Sequence, residues 1–518
     1  VQAPAGSGKT TLLTQRFLKL LATVGSPEEI LAITFTRKAA GEMHTRVLEA
    51  LALAHLPEPE NAFQKATWQL AKNALKQDQT QGWQLLQNPS RLRIQTIDAF
   101  CKSLIKQLPI TAHLGLDPSI NTQPDAMYEQ AFQALLPQID GDADWQIALR
   151  TLSLHLDNQL MRLQSLCVSM LKKRDHWLFH LLHRDPVKTR RHIENSLEYL
   201  HVTCFSDISQ AFSKTQQVDL LQIISFVQKQ LDPTHPLAAL NTWPHNSVED
   251  KPQWRAISKL LLTDKGEPRK SLTVANGFPS ASSTKDKDEK RRFQDYKTRT
   301  FDLLESLSDH TLEQLHLVKQ LPDATLSAAQ WETIQASLTL LPVLYAQLKI
   351  VFAKTGEVDF SEVAICALLA LGEPENPSDL SLKLDYQLSH ILVDECQDTS
   401  FLQTRLLETL TAGWEPDDGR TLFLVGDPMQ SIYRFRHAEV GLFLSIQQTG
   451  LGQIKPTPIA LRCNFRSSSN LINWVNTQFK AIFPAVDDIG EAAVHYHSSP
   501  PVKPETQYPA VELNLDLD

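Results

Sequence analysis

Several things are missing from this sequence. Six cysteines, at 101, 167, 204, 366, 396 and 463, include no C-x-x-C pair. That argues against a zinc or Fe–S site and fits reduced thiols of a cytoplasmic protein. No apolar run reaches the length of a bilayer span, so no membrane is expected as a partner. No internal repeat is found. No signal peptide is visible, although this bears little weight in a chain that opens at Val1, directly before its first motif. Positive charge is not in excess: 50 Lys and Arg stand against 59 Asp and Glu, a net charge of −9. That balance is not typical of a nucleic-acid binder, but a local groove can be basic on an acidic protein. A hydrophobic content of 42% and a charged content of 21% are those of a soluble globular chain. At 518 residues it has room for about three or four domains.

The strongest local signal is Ala3-Pro4-Ala5-Gly6-Ser7-Gly8-Lys9-Thr10, a phosphate-binding loop of the form [AG]-x-x-x-x-G-K-[ST]. Gly6 and Gly8 allow backbone angles that a Cβ resists, so successive N–H groups can curl around phosphate oxygens. Lys9 supplies a point charge for the β- and γ-phosphates. The Thr10 hydroxyl is a ligand for Mg²⁺. From Thr11 to Leu21 the apolar spacing is helical, which puts the phosphates at a helix N-terminus and argues against a chance glycine-rich turn. A loop of this kind follows a β-strand, and only Val1 and Gln2 precede it, so the chain is expected to be a piece cut from a longer protein.

Residues 30–35 and 91–97 read as buried parallel strands, each leading into a helix. Asp98 is the expected N-cap of the second helix, which runs to Leu108. From 109 to 388 strand signals nearly vanish and long amphipathic helices dominate, at 127–136, 157–182 and 326–351. Residues 263–300, rich in Lys, Asp, Ser and Gly, read as a mobile excursion within this insertion. Strands return at 390–395, 421–427 and 458–461, and 510–515 alternates like a strand start. His176, His180 and His183 fall on one helix face and read as a polar face rather than a metal site.

Ile391-Leu392-Val393-Asp394-Glu395 supplies the second half of an NTPase site. An apolar strand ending in two acids places carboxylates at the C-terminal edge of the sheet, where open α/β sheets bind ligands. Asp394 is expected to hold Mg²⁺ and Glu395 to orient and deprotonate the attacking water. Alone, this stretch reads equally as an exposed acidic strand end. A phosphate loop in the same chain favours the functional reading.

Asp394-Glu395-Cys396-Gln397-Asp398 resembles the D-E-x-Q-D motif of superfamily 1 DNA helicases of the UvrD/Rep type. The other motifs follow in that family's order, at 3–10, 33–43, 96–101, 425–436 and 461–467. The wording of Thr96-Ile97-Asp98-Ala99-Phe100-Cys101 and of Gly426-Asp427-Pro428 is closest to the RecB/AddA branch. The resemblance covers the α/β parts and leaves the helical insertion unmatched. It implies a P-loop RecA-like motor domain with a parallel sheet, in two parts (1–108 and 389–450), interrupted by an all-helical insertion (109–388). The start of a second RecA-like domain would follow (451–518). The family's last two motifs and any nuclease domain are not found up to Asp518, which again implies a longer parent.

The resemblance also assigns roles. Lys9, Glu395, Gln430 and Arg466 would be catalytic, Arg466 as an arginine finger entering from the second RecA-like domain. Gln397 and Gln430 would sense the γ-phosphate. Residues 3–11, Gln397 and Phe465 would line the ATP site, with Phe465 stacking on adenine where the family usually has Tyr. Phe35, Thr36, Arg37, Thr96, Tyr433 and Phe435 would meet DNA, aromatics through bases and the others through the backbone. Core packing is the competing reading for Phe35 and Phe435. The sequence departs from the family at Asp98, Cys396 and His437, which stand where His, an aromatic and Gly are common. The implied function is an ATP- and Mg²⁺-dependent single-stranded-DNA translocase or helicase, 3′→5′ by analogy. It would act in double-strand-break repair and recombination, in the bacterial cytoplasm near the nucleoid. The implied partners are single-stranded and duplex DNA and a RecC- or AddB-like subunit of an exonuclease complex. A stand-alone UvrD/Rep-like repair helicase and a non-motor, ATP-gated DNA-binding scaffold are the alternatives.

Overall fold

The computed structural model describes residues 1–107, 118–182, 186–238, 240–280, 283–373, 375–433, 438–489, 492–507 and 511. Phe435, His437, His183, Leu108 and most of the strand expected at 510–515 lie outside the described residues. The chain divides into two compact units: residues 1–140, 159–179 and 341–518, and residues 141–158 and 180–340.

The first unit is built on a parallel sheet. In chain order its elements begin with α1 (Lys9–Leu21), β1 (Ile30–Thr34), α2 (Arg37–Leu53), α3 (Ala62–Gln81), β2 (Arg93–Thr96) and α4 (Ile97–Gln107). After a long excursion come β3 (His390–Val393) and β4 (Thr421–Leu424). The sheet order is β2-β1-β3-β4, all parallel, with Ala32 opposite Ile94 on one side and Leu392 on the other. Every residue of β1 and β3 is buried, as continuous apolar strands covered on both faces require. Phe17, Leu21, Val47, Leu51 and Leu75 from α1, α2 and α3 pack on Ile30, Ala32 and Leu392. Thr36 caps α2 by accepting the Ala39 N–H at 3.1 Å. Thr96, not the expected Asp98, caps α4, accepting the Ala99 N–H at 3.2 Å.

Gln2 pairs in parallel with Gly426 on one side and Ala460 on the other. Ala3 donates to Gly426 at 2.9 Å, Gln2 to Ile459 at 2.8 Å, and Leu461 to Gln2 at 2.8 Å. The entry to the loop is therefore held from both sides. A further parallel pair joins β5 (Asn464–Ser468) and β6 (Pro501–Lys503).

The second unit is narrower than the insertion expected over 109–388. Segments 118–140, 159–179 and 341–388 belong to the first unit, and a buried ionic cluster joins them to one another. Arg174, fully buried, pairs with Asp359 and with Glu362 at 3.5 Å. The Tyr128 hydroxyl donates to Asp359 at 2.6 Å and the Tyr345 hydroxyl to Glu362 at 2.9 Å. Buried charges persist when paired and hydrogen-bonded like this, and the cluster ties all three segments together.

No strand occurs among the described residues of the second unit. Its core gathers Phe205, Ile224, Trp254, Leu261 and Leu315. Residues 263–300, expected as a mobile excursion, contribute Leu272, Phe278 and Phe293 to that core, and a helix, Lys287–Ser306, begins within them. The expected helix over 157–182 is two, Leu160–Lys172 and Arg174–Leu182. One described helix, Ala328–Thr355, has the length and apolarity to cross a membrane, contrary to the expectation from the apolar runs. Its buried residues Ala336, Leu340, Leu344, Leu348 and Phe352 recur every four residues, the one-sided spacing of a helix packed on a core.

Candidate active site

The loop at 3–10 has the backbone that its glycines permit. Gly6 (φ 76°) and Gly8 (φ 87°) are both left-handed, and Gly8 is the N-cap of α1. Alternating handedness turns successive N–H groups into one concavity at a helix N-terminus, which favours anions. The Ser7 hydroxyl is buried without a hydrogen-bond partner. Such a group costs about 1–3 kcal/mol, and a phosphate oxygen would supply the missing acceptor. A Cβ on Gly8 would meet nothing within 4 Å, whereas one on Gly6 would lie 2.7 Å from Asn464 Nδ2 and 2.9 Å from Arg466 Cβ.

Lys9 Nζ lies 2.6 Å from Glu395 Oε2 and 3.9 Å from Asp394 Oδ1. Asp394 continues β3 beyond its last ladder residue, donating its N–H to Ile33 at 2.8 Å. Burial pushes its carboxyl up to about 6, opposed by Lys9. Glu395 has a left-handed backbone (φ 54°), uncommon for a residue with a Cβ. Its carboxylate also accepts from Gln397 Nε2 at 2.8 Å. Gln397 Oε1 in turn accepts the Asp427 N–H at 2.9 Å, and Asp427 accepts from Gln430 Nε2 and, at 3.1 Å, from the Met429 N–H. Asp398, pushed up to about 6 by burial, accepts from the Ser431 hydroxyl at 2.8 Å. A chain of hydrogen bonds thus runs from the acidic strand end to the turn after β4. The Thr10 hydroxyl and the Asp394 carboxylate are the hard-oxygen groups that could hold Mg²⁺ beside a phosphate. A dication would also relieve the cost of ionising Asp394 under burial.

Phe465 and Arg466 reach this site on β5. The Phe465 N–H donates to the Gly6 carbonyl at 2.9 Å, and Phe465 as a residue is 54% exposed. The Arg466 guanidinium is exposed and makes no hydrogen bond or ion pair among the described residues. Arg466 was expected to enter from a separate second domain. Instead β5 lies in the same compact unit as the loop, where the Asn464 side-chain amide donates to the Ala5 carbonyl and the Phe465 backbone N–H to the Gly6 carbonyl.

The expected DNA contacts are mixed. Phe35 is 6% exposed, its ring 4.6 Å from that of Tyr433 and tilted by 44°. It borders a cavity of about 740 Å³ with Asp98, Asn121, Tyr128 and Gln403. The hydroxyls of Thr36 and Thr96 are engaged as helix caps, while Arg37 is exposed. Thr11 opens on a different groove, of about 450 Å³, shared with Arg46, Glu49 and Trp68. Four residues of the site carry no role that the motifs assign: Asp398, Asp427, Ser431 and Asn464. Asn and Asp favour local backbone hydrogen bonds, which was the only available signal. Their long-range partners are set by the fold.

Residues 1–450 match the UvrD/REP helicase N-terminal domain. The chain is 27% identical over 504 residues to an ATP-dependent helicase/nuclease subunit of Exiguobacterium sibiricum, covering 93% of this chain and 38% of that protein. It is 26% identical over 547 residues to the protein of the same name from Bacillus cereus (99% and 40% covered). For that of Oceanobacillus iheyensis the identity is 26% over 524 residues (95% and 38%). The chain spans about two fifths of the length of these relatives.

Proposed function

The chain belongs to the UvrD/REP helicase family, whose N-terminal domain it matches over residues 1–450, and from that membership we propose that it carries the ATP-hydrolysing site of a single-stranded-DNA motor. The observation that carries the proposal is the convergence of Lys9, Asp394 and Glu395 beneath a glycine-shaped loop. Lys9 holds the β- and γ-phosphates, while the loop amides and the Ser7 hydroxyl cradle them. Thr10 and Asp394 hold Mg²⁺, which neutralises charge on the phosphate oxygens when bound. Glu395 orients the attacking water and takes its proton. Arg466 meets the charge that develops on the transferring phosphoryl group, and Phe465 offers its exposed ring to adenine.

Gln397 and Gln430 link nucleotide state to the turn that carries Tyr433, where DNA bases would stack. Arg37 would meet the DNA backbone. The curated relatives are named as subunits, so the full protein would work beside an AddB-like partner, on DNA in the bacterial cytoplasm, in break repair. Translocation is 3′→5′ by analogy with the family. DNA-stimulated ATPase of the full natural polypeptide tests this reading. Lys9→Ala is expected to abolish stimulation, and a Lys9→Ala protein with full stimulation would overturn the assignment.

A further inference from the structure

Asn464 is 6% exposed, lying beneath the exposed Phe465 and Arg466. Its amide is used on both sides. Nδ2 donates to the Ala5 carbonyl at 2.8 Å, and Oδ1 accepts the N–H groups of Arg466 and Ser467, each at 2.9 Å. These partners dictate which end is oxygen. The Phe465 N–H adds a second bridge, to Gly6. The approach is close because residue 6 lacks a Cβ, which would clash with Asn464 and Arg466. On the far side, Asn464 N–H donates to Pro500 at 2.9 Å and Lys503 Nζ to the Arg466 carbonyl at 2.8 Å, so β5 is braced against the loop.

We infer that Asn464 is a positioning residue for ATP hydrolysis: it locks the backbone of Arg466 to the phosphate loop, so that the guanidinium and the loop address the phosphates in one fixed register. This rests on the reading of the loop as an ATP site. The competing account is purely local. A side-chain oxygen accepting N–H groups two and three residues on is a common turn device, which Asp makes as well as Asn. The two accounts differ at the Ala5 carbonyl, which only the amide NH₂ can serve.

Asn464→Asp keeps the local acceptor and turns a carboxylate oxygen toward that carbonyl. In the full natural polypeptide, kcat for DNA-stimulated ATP hydrolysis is expected to fall by about 10²-fold, the scale of a small misplacement of a reacting group, with KM for ATP little changed. In an Arg466→Ala background the same change should cost nothing further, because both act on one element. Asn464→Ser also keeps a local acceptor but is too short to reach Ala5, and it should behave like the Asp variant should the latter fold poorly. Wild-type kcat in either variant overturns the inference, as does a loss fully additive with Arg466→Ala. A wild-type protein that hydrolyses no ATP removes the ATP-site reading and this inference with it. One that hydrolyses ATP equally well with Asp at 464 removes only the inference.

Discussion

Lys9 and Glu395 form the closest ion pair of the candidate site, at 2.6 Å between Nζ and Oε2. Each neutralises the other at the spot where phosphate and water would meet. Substituting one partner should therefore have a different effect from substituting the other. Lys9→Ala removes the phosphate ligand, and fluorescent-nucleotide titration should show loss of ATP affinity. Glu395→Gln frees Lys9 for phosphate, so affinity should be retained while phosphate release slows by about 10²–10⁴-fold, the usual worth of a general base.

The two loop glycines should separate in thermal unfolding without nucleotide. Gly8→Ala meets open space and should cost only the left-handed backbone, about 1–2 kcal/mol. Gly6→Ala bears the same backbone cost and drives a methyl into Asn464 and Arg466. It should be clearly less stable than Gly8→Ala, and equal melting temperatures would contradict the tight approach of β5.

Tyr433, partly exposed, and Phe35, buried beneath it, should behave as reader and support. Tyr433→Ala should weaken single-stranded-DNA binding by about 1–3 kcal/mol in anisotropy titrations, with little change in stability. Phe35→Ala should instead lower stability by about 3–5 kcal/mol, as for other buried aromatics. Phe35→Leu should restore most of that.

Removing Arg174 leaves Asp359 and Glu362 buried without their cation. Arg174→Ala should cost about 3–5 kcal/mol in urea unfolding. Combining Arg174→Met with Asp359→Asn and Glu362→Gln should cost less than Arg174→Ala alone, since no uncompensated charge then remains.

Glu28 accepts from Arg91 at 2.7 and 3.0 Å. Burial pushes its carboxyl up, but Arg91 and Ser26 outweigh this and hold it at about 2, below the usual 4.5. A depressed carboxyl stabilises the fold above its unfolded value, so this contribution should be complete above pH 4.5 and lost as pH falls towards 2. Both side chains are about one third exposed, which limits the effect to under about 1 kcal/mol. Glu28→Gln should flatten that part of the acid limb.

The α/β class was legible because its signals are local. The apolar runs of β1 and β3 and the helix after Gly8 follow from adjacent residues. The extent of the helical insertion was not, since nothing local in the sequence pairs Arg174 with Asp359 or Tyr345 with Glu362 until the fold buries them together. Residues 263–300 looked solvated by composition, and three apolar side chains, Leu272, Phe278 and Phe293, were enough to anchor them in a core. Thr96 displaced Asp98 as a cap because a cap is chosen by backbone direction at the end of β2, which composition does not encode.

By itself the sequence determined that a glycine loop, a lysine and a pair of strand-end acids would be present, because each depends on short-range backbone chemistry. Only the tertiary structure decided that Lys9 meets Glu395, that Phe35 is buried beneath Tyr433, and that Asn464 ties Arg466 to Ala5. Those pairings join segments hundreds of residues apart, and hydrogen bonds act only over contact distance, so they exist only once the parallel sheet has brought the segments side by side.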